Sequence, residues 1–69
     1  MIKIRELEYL DAIERHKHFG KAAEACHVSQ PTLSGQIIKL EEQLGVTLIE
    51  RHRRNIMLTP AGNQLLAKA

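Results

Sequence analysis

The chain has little that would staple or anchor it. Its one cysteine, Cys26, excludes an internal disulfide, and with it the disulfide-dense build of small secreted domains. Tryptophan is absent, and Tyr9 and Phe19 are the only aromatic side chains. A core must therefore come from aliphatic packing, for which there are nine leucines, seven isoleucines and seven alanines. No apolar run approaches the roughly 20 residues that span a bilayer, and Met1 to Glu6 lacks the apolar stretch of a signal peptide. These absences predict a reducing, cytoplasmic setting with no membrane partner. At 69 residues there is room for one domain only, since a second core would need about another hundred residues.

Catalysis also lacks a foothold. No nucleophile, base and oxyanion donor recur at a recognisable spacing, and no glycine-rich loop follows a strand, so neither an enzyme nor a cofactor is expected. Four histidines, two of them in His16-Lys17-His18 and one beside Cys26, do not form the paired spacings of a structural metal site. Cys26 shares an apolar helical face with Phe19, Ala22 and Ala23, which predicts an inert, packed thiol and not a reactive one.

What is present is an uneven charge. The net value is only +2, but residues 1–50 carry six basic and eight acidic side chains, whereas residues 51–69 carry Arg51, Arg53, Arg54 and Lys68 and no acid. Arg51-His52-Arg53-Arg54 is either a solvated loop or a phosphate-contacting segment. Glu41 is a candidate ion-pair partner for Arg51, which would leave Arg51 less free for phosphate than Arg53 or Arg54.

Apolar periodicity predicts four helices. Ile4, Leu7, Leu10 and Ile13 mark the apolar side of the first, ending near His16. Phe19, Ala22, Ala23 and Cys26 mark a short second one. Ser29 caps a third, with Pro31 in its first turn, Leu33, Ile37, Leu40 and Leu44 as its core face, and Gly45 as its left-handed stop. Leu48-Ile49 and Ile56-Met57-Leu58 then predict two brief strands around a basic hairpin, Arg51 to Asn55. Thr59 and Pro60 open a fourth helix whose apolar residues Leu65, Leu66 and Ala69 break off in mid-pattern, which predicts continuation into a longer protein.

Two helices joined by the tight His27-Val28 turn, the second well capped, followed by a basic hairpin, make a mainly α winged helix-turn-helix. Residues 1–58 form the winged domain, and residues 59–69 begin a linker and dimerisation helix. On a helical wheel Pro31, Thr32, Ser34, Gly35, Ile38, Lys39 and Glu42 point away from the core face. The first turn of that outer face is small and polar enough to enter a major groove. Gln30 can pair with adenine, Thr32 and Ser34 can reach base edges or phosphates, and Gly35 lets the backbone come close. The helix N-terminus behind Ser29 favours phosphate.

The stretch Ala22-Ala23, Val28-Ser29-Gln30-Pro31-Thr32-Leu33-Ser34, Ile37, Leu40-Glu41, Leu44-Gly45, Leu48, Glu50-Arg51 and Leu58-Thr59-Pro60-Ala61-Gly62 resembles the N-terminal DNA-binding domain of LysR-type bacterial transcriptional regulators. The match covers essentially the whole chain, and His18 to Ile37 is most similar to the family's peroxide-responsive activators. The resemblance implies double-stranded operator DNA as partner, with Gln30, Pro31, Thr32 and Ser34 at the major groove, Arg54 at the minor groove and Arg53 near phosphate. It also implies a homodimer held by the helix from Thr59, a tetramer in the longer protein, and a C-terminal regulatory domain. Three positions depart from the pattern. Gly35 stands where relatives often carry arginine, His18 where they carry serine, which predicts a weaker cap, and Ile38 where a basic or polar residue is common. Ile38 either touches a thymine methyl or faces solvent. The expected DNA-binding set is Ser29, Gln30, Pro31, Thr32, Ser34, Gly35, Lys39, Arg51, Arg53 and Arg54. The alternatives are a regulator of the same family with another effector, and a helical module whose basic hairpin binds an acidic protein.

Overall fold

The computed structural model describes residues 3–51 and 56–68. Among these the order is α1 (Ile4–His16), α2 (Phe19–Ala25), α3 (Gln30–Leu44), β1 (Ile49–Arg51), β2 (Ile56–Leu58) and α4 (Pro60–Ala67). Helix α1 packs against α2, α3, β2 and α4, so it is the spine of the domain.

Local signals set each boundary. The Glu6 carboxylate accepts from the Lys3 backbone N–H at 2.9 Å and closes the first turn of α1. Lys17, left-handed at φ 52°, ends that helix by donating its N–H to the Ile13 carbonyl at 2.7 Å. His18 was expected to weaken the start of α2, yet its Nδ1 accepts from the Lys21 N–H at 3.1 Å. The reason is geometric: Nδ1 stands as many bonds from Cα as the carboxamide oxygen of an asparagine cap. Between α2 and α3 the turn passes through His27 at φ 59°, with its N–H on the Glu24 carbonyl and that of Val28 on the Ala23 carbonyl. Ser29 caps α3 by accepting from the Thr32 N–H at 3.2 Å, and Gly45, at φ 70°, terminates it through the Glu41 carbonyl.

The core is aliphatic, as the composition demands. Leu10, Ile13, Leu33, Ile37, Leu40, Leu48 and Ile49 are fully buried, with Ala22 and Ala23 where α2 comes close. Three expected core residues are not in it, and one of them, Leu7, is half-buried in a surface groove with Ile4. Ile4 is 78% exposed, because three-residue steps on a 3.6-residue helix drift by about 60° each and put Ile4 on the opposite side from Ile13. Buried Glu6 and Tyr9 replace it. Leu44 points to the core side by angle but is 40% exposed, because it is the last residue of α3, one position before Gly45 ends the helix.

The strands pair antiparallel in the register Ile49↔Leu58, Glu50↔Met57 and Arg51↔Ile56. The first strand is thus one residue later than the expected Leu48-Ile49, and Arg51 belongs to it and not to the hairpin tip. Thr59 locks this layer to α4. Its hydroxyl donates to the Thr47 carbonyl at 2.6 Å and accepts from the Gly62 N–H at 3.1 Å, while its own N–H meets the Leu48 carbonyl at 2.9 Å. Gly62 is buried so tightly here that a Cβ on it would lie 2.5 Å from the Leu48 carbonyl oxygen.

Candidate nucleic-acid interface

Helix α3 presents the expected outer face. Gln30, Pro31, Thr32, Gly35 and Lys39 are exposed and Ser34 is half-buried, while Leu33, Ile37 and Leu40 turn inward. The cap is tighter than an N-cap alone. Ser29 accepts the Thr32 N–H and also donates its hydroxyl to Thr32 Oγ1 at 2.8 Å. That leaves the Thr32 hydroxyl proton available to an outside acceptor such as a phosphate oxygen. Gly35 opens onto free space, with nothing within 4 Å of where its Cβ would be. The carboxamide oxygen of Gln30 leans toward α2, 3.5 Å from where a Cβ on Gly20 would sit, so the first turns of the two helices adjoin.

Arg51 is exposed at the end of β1, and its partner differs from the expected one. Its guanidinium lies over the Phe19 ring, 5.5 Å from the centroid. Glu41 does not pair with it but accepts the backbone N–H groups of Leu48 at 2.8 Å and Ile49 at 3.3 Å. A carboxylate so placed satisfies two donors of buried residues, which is worth more than an exposed ion pair. The salt bridges among the described residues, Arg15–Asp11 and Lys17–Glu14, lie instead on α1 and its cap, away from α3. The structure therefore brings Ser29, Gln30, Pro31, Thr32, Ser34, Gly35 and Lys39 together on one helix. Arg51 stands at the loop end of β1, opposite Ile56, while Arg53 and Arg54 lie outside the described residues.

A second concave region, between α1 and the end of α2, is lined by Arg5, Glu8, Tyr9, Asp11, Cys26 and His27. Here Arg5 donates to the Tyr9 hydroxyl at 3.2 Å, and that contact raises the guanidinium pKa above its ordinary value. Cys26 caps α2 and is half-buried, with Sγ 3.9 Å from the Glu8 carbonyl. Burial, reinforced by the Glu8 carboxylate, pushes its thiol up, opposite to what a reactive thiolate needs. No group of three or more His, Cys, Asp and Glu side chains converges on a metal position among the described residues. None of the described helices is long and apolar enough to cross a membrane.

Leu65 and Leu66, expected at a dimer seam, are half-buried against the chain's own core, and Ala69 lies outside the described residues. Sequence reasoning missed their neighbours. Leu66 shares a groove with exposed Ile4 and with Leu7, and Leu65 shares another with Leu44 and Val46. The signal that could have found them is the drift of the three-residue pattern, which puts Ile4 outside the core.

A capped second helix with a solvent-facing polar side, a tight left-handed turn before it and a two-stranded wing after it define a winged helix-turn-helix protein. The profile of the bacterial regulatory helix-turn-helix proteins of the lysR family matches residues 4–63, and the chain belongs to that family. It is 57% identical over 68 residues to the DNA-binding transcriptional dual regulator OxyR of Escherichia coli (strain K12), covering 99% of this chain and 22% of that protein. In structure it resembles a full-length OxyR variant from Pseudomonas aeruginosa with a TM-score of 0.88 at 46% identity, over 99% of this chain and 23% of the other. It also resembles the BenM DNA-binding domain in its complex with benA site 1 DNA, with a TM-score of 0.88 at 39% identity over 97% of this chain and 75% of that one. The chain thus spans less than a quarter of the length of the full-length regulators it matches.

Proposed function

We propose that the chain is a sequence-specific, double-stranded-DNA-binding domain of a bacterial transcriptional regulator, with α3 in the major groove and the hairpin over residues 51–55 at the minor groove. The observation that carries this is the outer face of α3. Its first turns are mostly polar and exposed, and it starts at a doubly bonded Ser29 cap, while a relative of the same fold is seen bound to DNA. Gln30, Pro31, Thr32, Ser34 and Gly35 meet base edges. Ser29, Lys39 and Arg51 bind phosphate, Arg51 held in place by Phe19, and Arg53 and Arg54 extend the contact along the wing.

Residues 1–58 form the DNA-reading unit and residues 59–69 begin the dimerising helix. The half-buried Leu65 and Leu66, with the exposed apolar residues beside them, support a homodimer, and the longer protein would assemble further into a tetramer. The domain works in the cytoplasm on the nucleoid, without cofactor, metal or catalysis. Its likeness to hydrogen peroxide-inducible activators supports a peroxide-responsive parent protein whose sensing chemistry lies outside these residues, since burial and the Glu8 carboxylate push the Cys26 thiol up, away from the reactive thiolate.

Selection of bound duplexes from a random pool, followed by titration, tests this. The chain should prefer its selected site over a scrambled duplex by about 10³-fold or more at physiological salt. Gln30→Ala should cost about 1–3 kcal/mol on the selected site and little on the scrambled one. Equal losses on both would remove Gln30 from base readout. No selected consensus, with binding to an acidic protein surviving DNA competition, would replace the DNA reading by the acidic-partner one.

A further inference from the structure

Ile38 is an apolar side chain in the middle of a polar working surface. It is 45% exposed on α3, and at 100° per residue it lies within about 40° of Pro31 and Ser34, on the same line along the helix. Core residue Ile37 precedes it in sequence but turns the other way and is fully buried. A single exposed isoleucine on a protein surface is ordinary. This one is set apart by its neighbours. One turn before it stand Ser34, with a short side chain, and Gly35, with none and with open space above it, so no long side chain on that turn would hold a duplex away from Ile38.

An isoleucine side chain there offers no hydrogen bond, and the base edges of the major groove carry one apolar group, the C5-methyl of thymine. We propose that Ile38 is a specificity residue that packs against a thymine methyl, about 12 Å along α3 from Gln30. The proposal rests on α3 lying in the major groove. It adds a demand that hydrogen bonding cannot supply, for the C5-methyl of thymine at one position, with Gly35 providing the clearance.

Deoxyuridine tests this because it pairs as thymine does and lacks only the methyl. Each thymine of the selected duplex is replaced singly by deoxyuridine, and binding is titrated for the unaltered chain and for Ile38→Ala, with thermal unfolding confirming that the variant is folded. One thymine should stand out. Its replacement should weaken the unaltered chain about three- to tenfold, the scale of one buried methyl-sized group. Ile38→Ala should lose that sensitivity there and keep the same profile at every other thymine. A uniform deoxyuridine profile, or one that Ile38→Ala leaves unchanged, would overturn the Ile38 assignment while the selected site is still preferred over scrambled DNA. Failure to prefer any duplex would overturn the major-groove reading itself, and this assignment with it.

Discussion

Replacing Gly62 by alanine should destabilise the domain, although the same change in an open helix stabilises it. Alanine is favoured over glycine in a helix interior by about 1 kcal/mol, so the intrinsic term helps the variant. The packing term opposes it. The new Cβ would lie 2.5 Å from the Leu48 carbonyl oxygen and 3.2 Å from the Leu58 Cβ, and the first of these contacts is backbone that cannot rotate away. Relief requires α4 to lift off the strand layer by several tenths of an ångström. That strains the Thr59 N–H to Leu48 carbonyl bond at 2.9 Å and the Thr59 hydroxyl to Thr47 carbonyl bond at 2.6 Å. Overpacking costs about 1–3 kcal/mol, and a weakened hydrogen bond adds about 1. The net loss is about 1–3 kcal/mol, a fall of roughly 5–20 °C in Tm for a domain of this size. Gly35→Ala is the internal control, since nothing lies within 4 Å of its Cβ, and it should gain up to about 1 kcal/mol. Urea and thermal unfolding of the two variants provide the comparison. Equal effects, or a more stable Gly62→Ala, would refute the close approach of α4 to Leu48.

Other perturbations follow from single contacts. Glu41→Ala removes the acceptor of two N–H groups of buried residues and should cost about 2–3 kcal/mol, with amide exchange quickening first at Leu48 and Ile49; unaltered exchange there would count against these two bonds. Thr59→Ala loses both the α4 cap and the tie to Thr47, and urea unfolding should register a deficit of about 1–2 kcal/mol, whereas no deficit would show the cap to be dispensable. Because its pKa is raised in the folded state, Cys26 keeps its proton longer there than in the unfolded chain. Its contribution is thus full below the unfolded thiol pKa and fades as pH rises through the folded one. Alkylation at pH 8 should accordingly be slower without denaturant than in urea, and equal rates would argue for an exposed thiolate.

The ends of the helices were legible because single residues with strong local chemistry mark them. Ser29, Pro31 and Gly45 bound α3, and Thr59 and Pro60 start α4, each where its side chain or φ angle is used. Inward and outward faces were legible where the spacing held to the helical period, as in Leu33, Ile37 and Leu40. They were misread where it did not, as with Ile4, and at the end of α3, as with Leu44. Tertiary contacts left no mark in the sequence. Nothing near Glu41 announces that it will cap backbone N–H groups seven and eight residues away, or that Arg51 will settle on Phe19. The cap by His18 was hidden for another reason, since an imidazole nitrogen imitates an asparagine oxygen only in the right rotamer and tautomer.

The claim that α3 reads the duplex is met most directly by amide chemical shifts of the isotopically labelled chain, titrated with its selected site and then with a scrambled duplex. With the selected site, the largest changes should fall on Ser29 to Lys39 and on Arg51, with the acidic face of α1 around Glu8 and Asp11 nearly silent. The scrambled duplex should leave a weaker, more salt-sensitive pattern biased to Lys39 and Arg51. Changes centred on α1 or on the Cys26 groove, with α3 silent, would contradict the account.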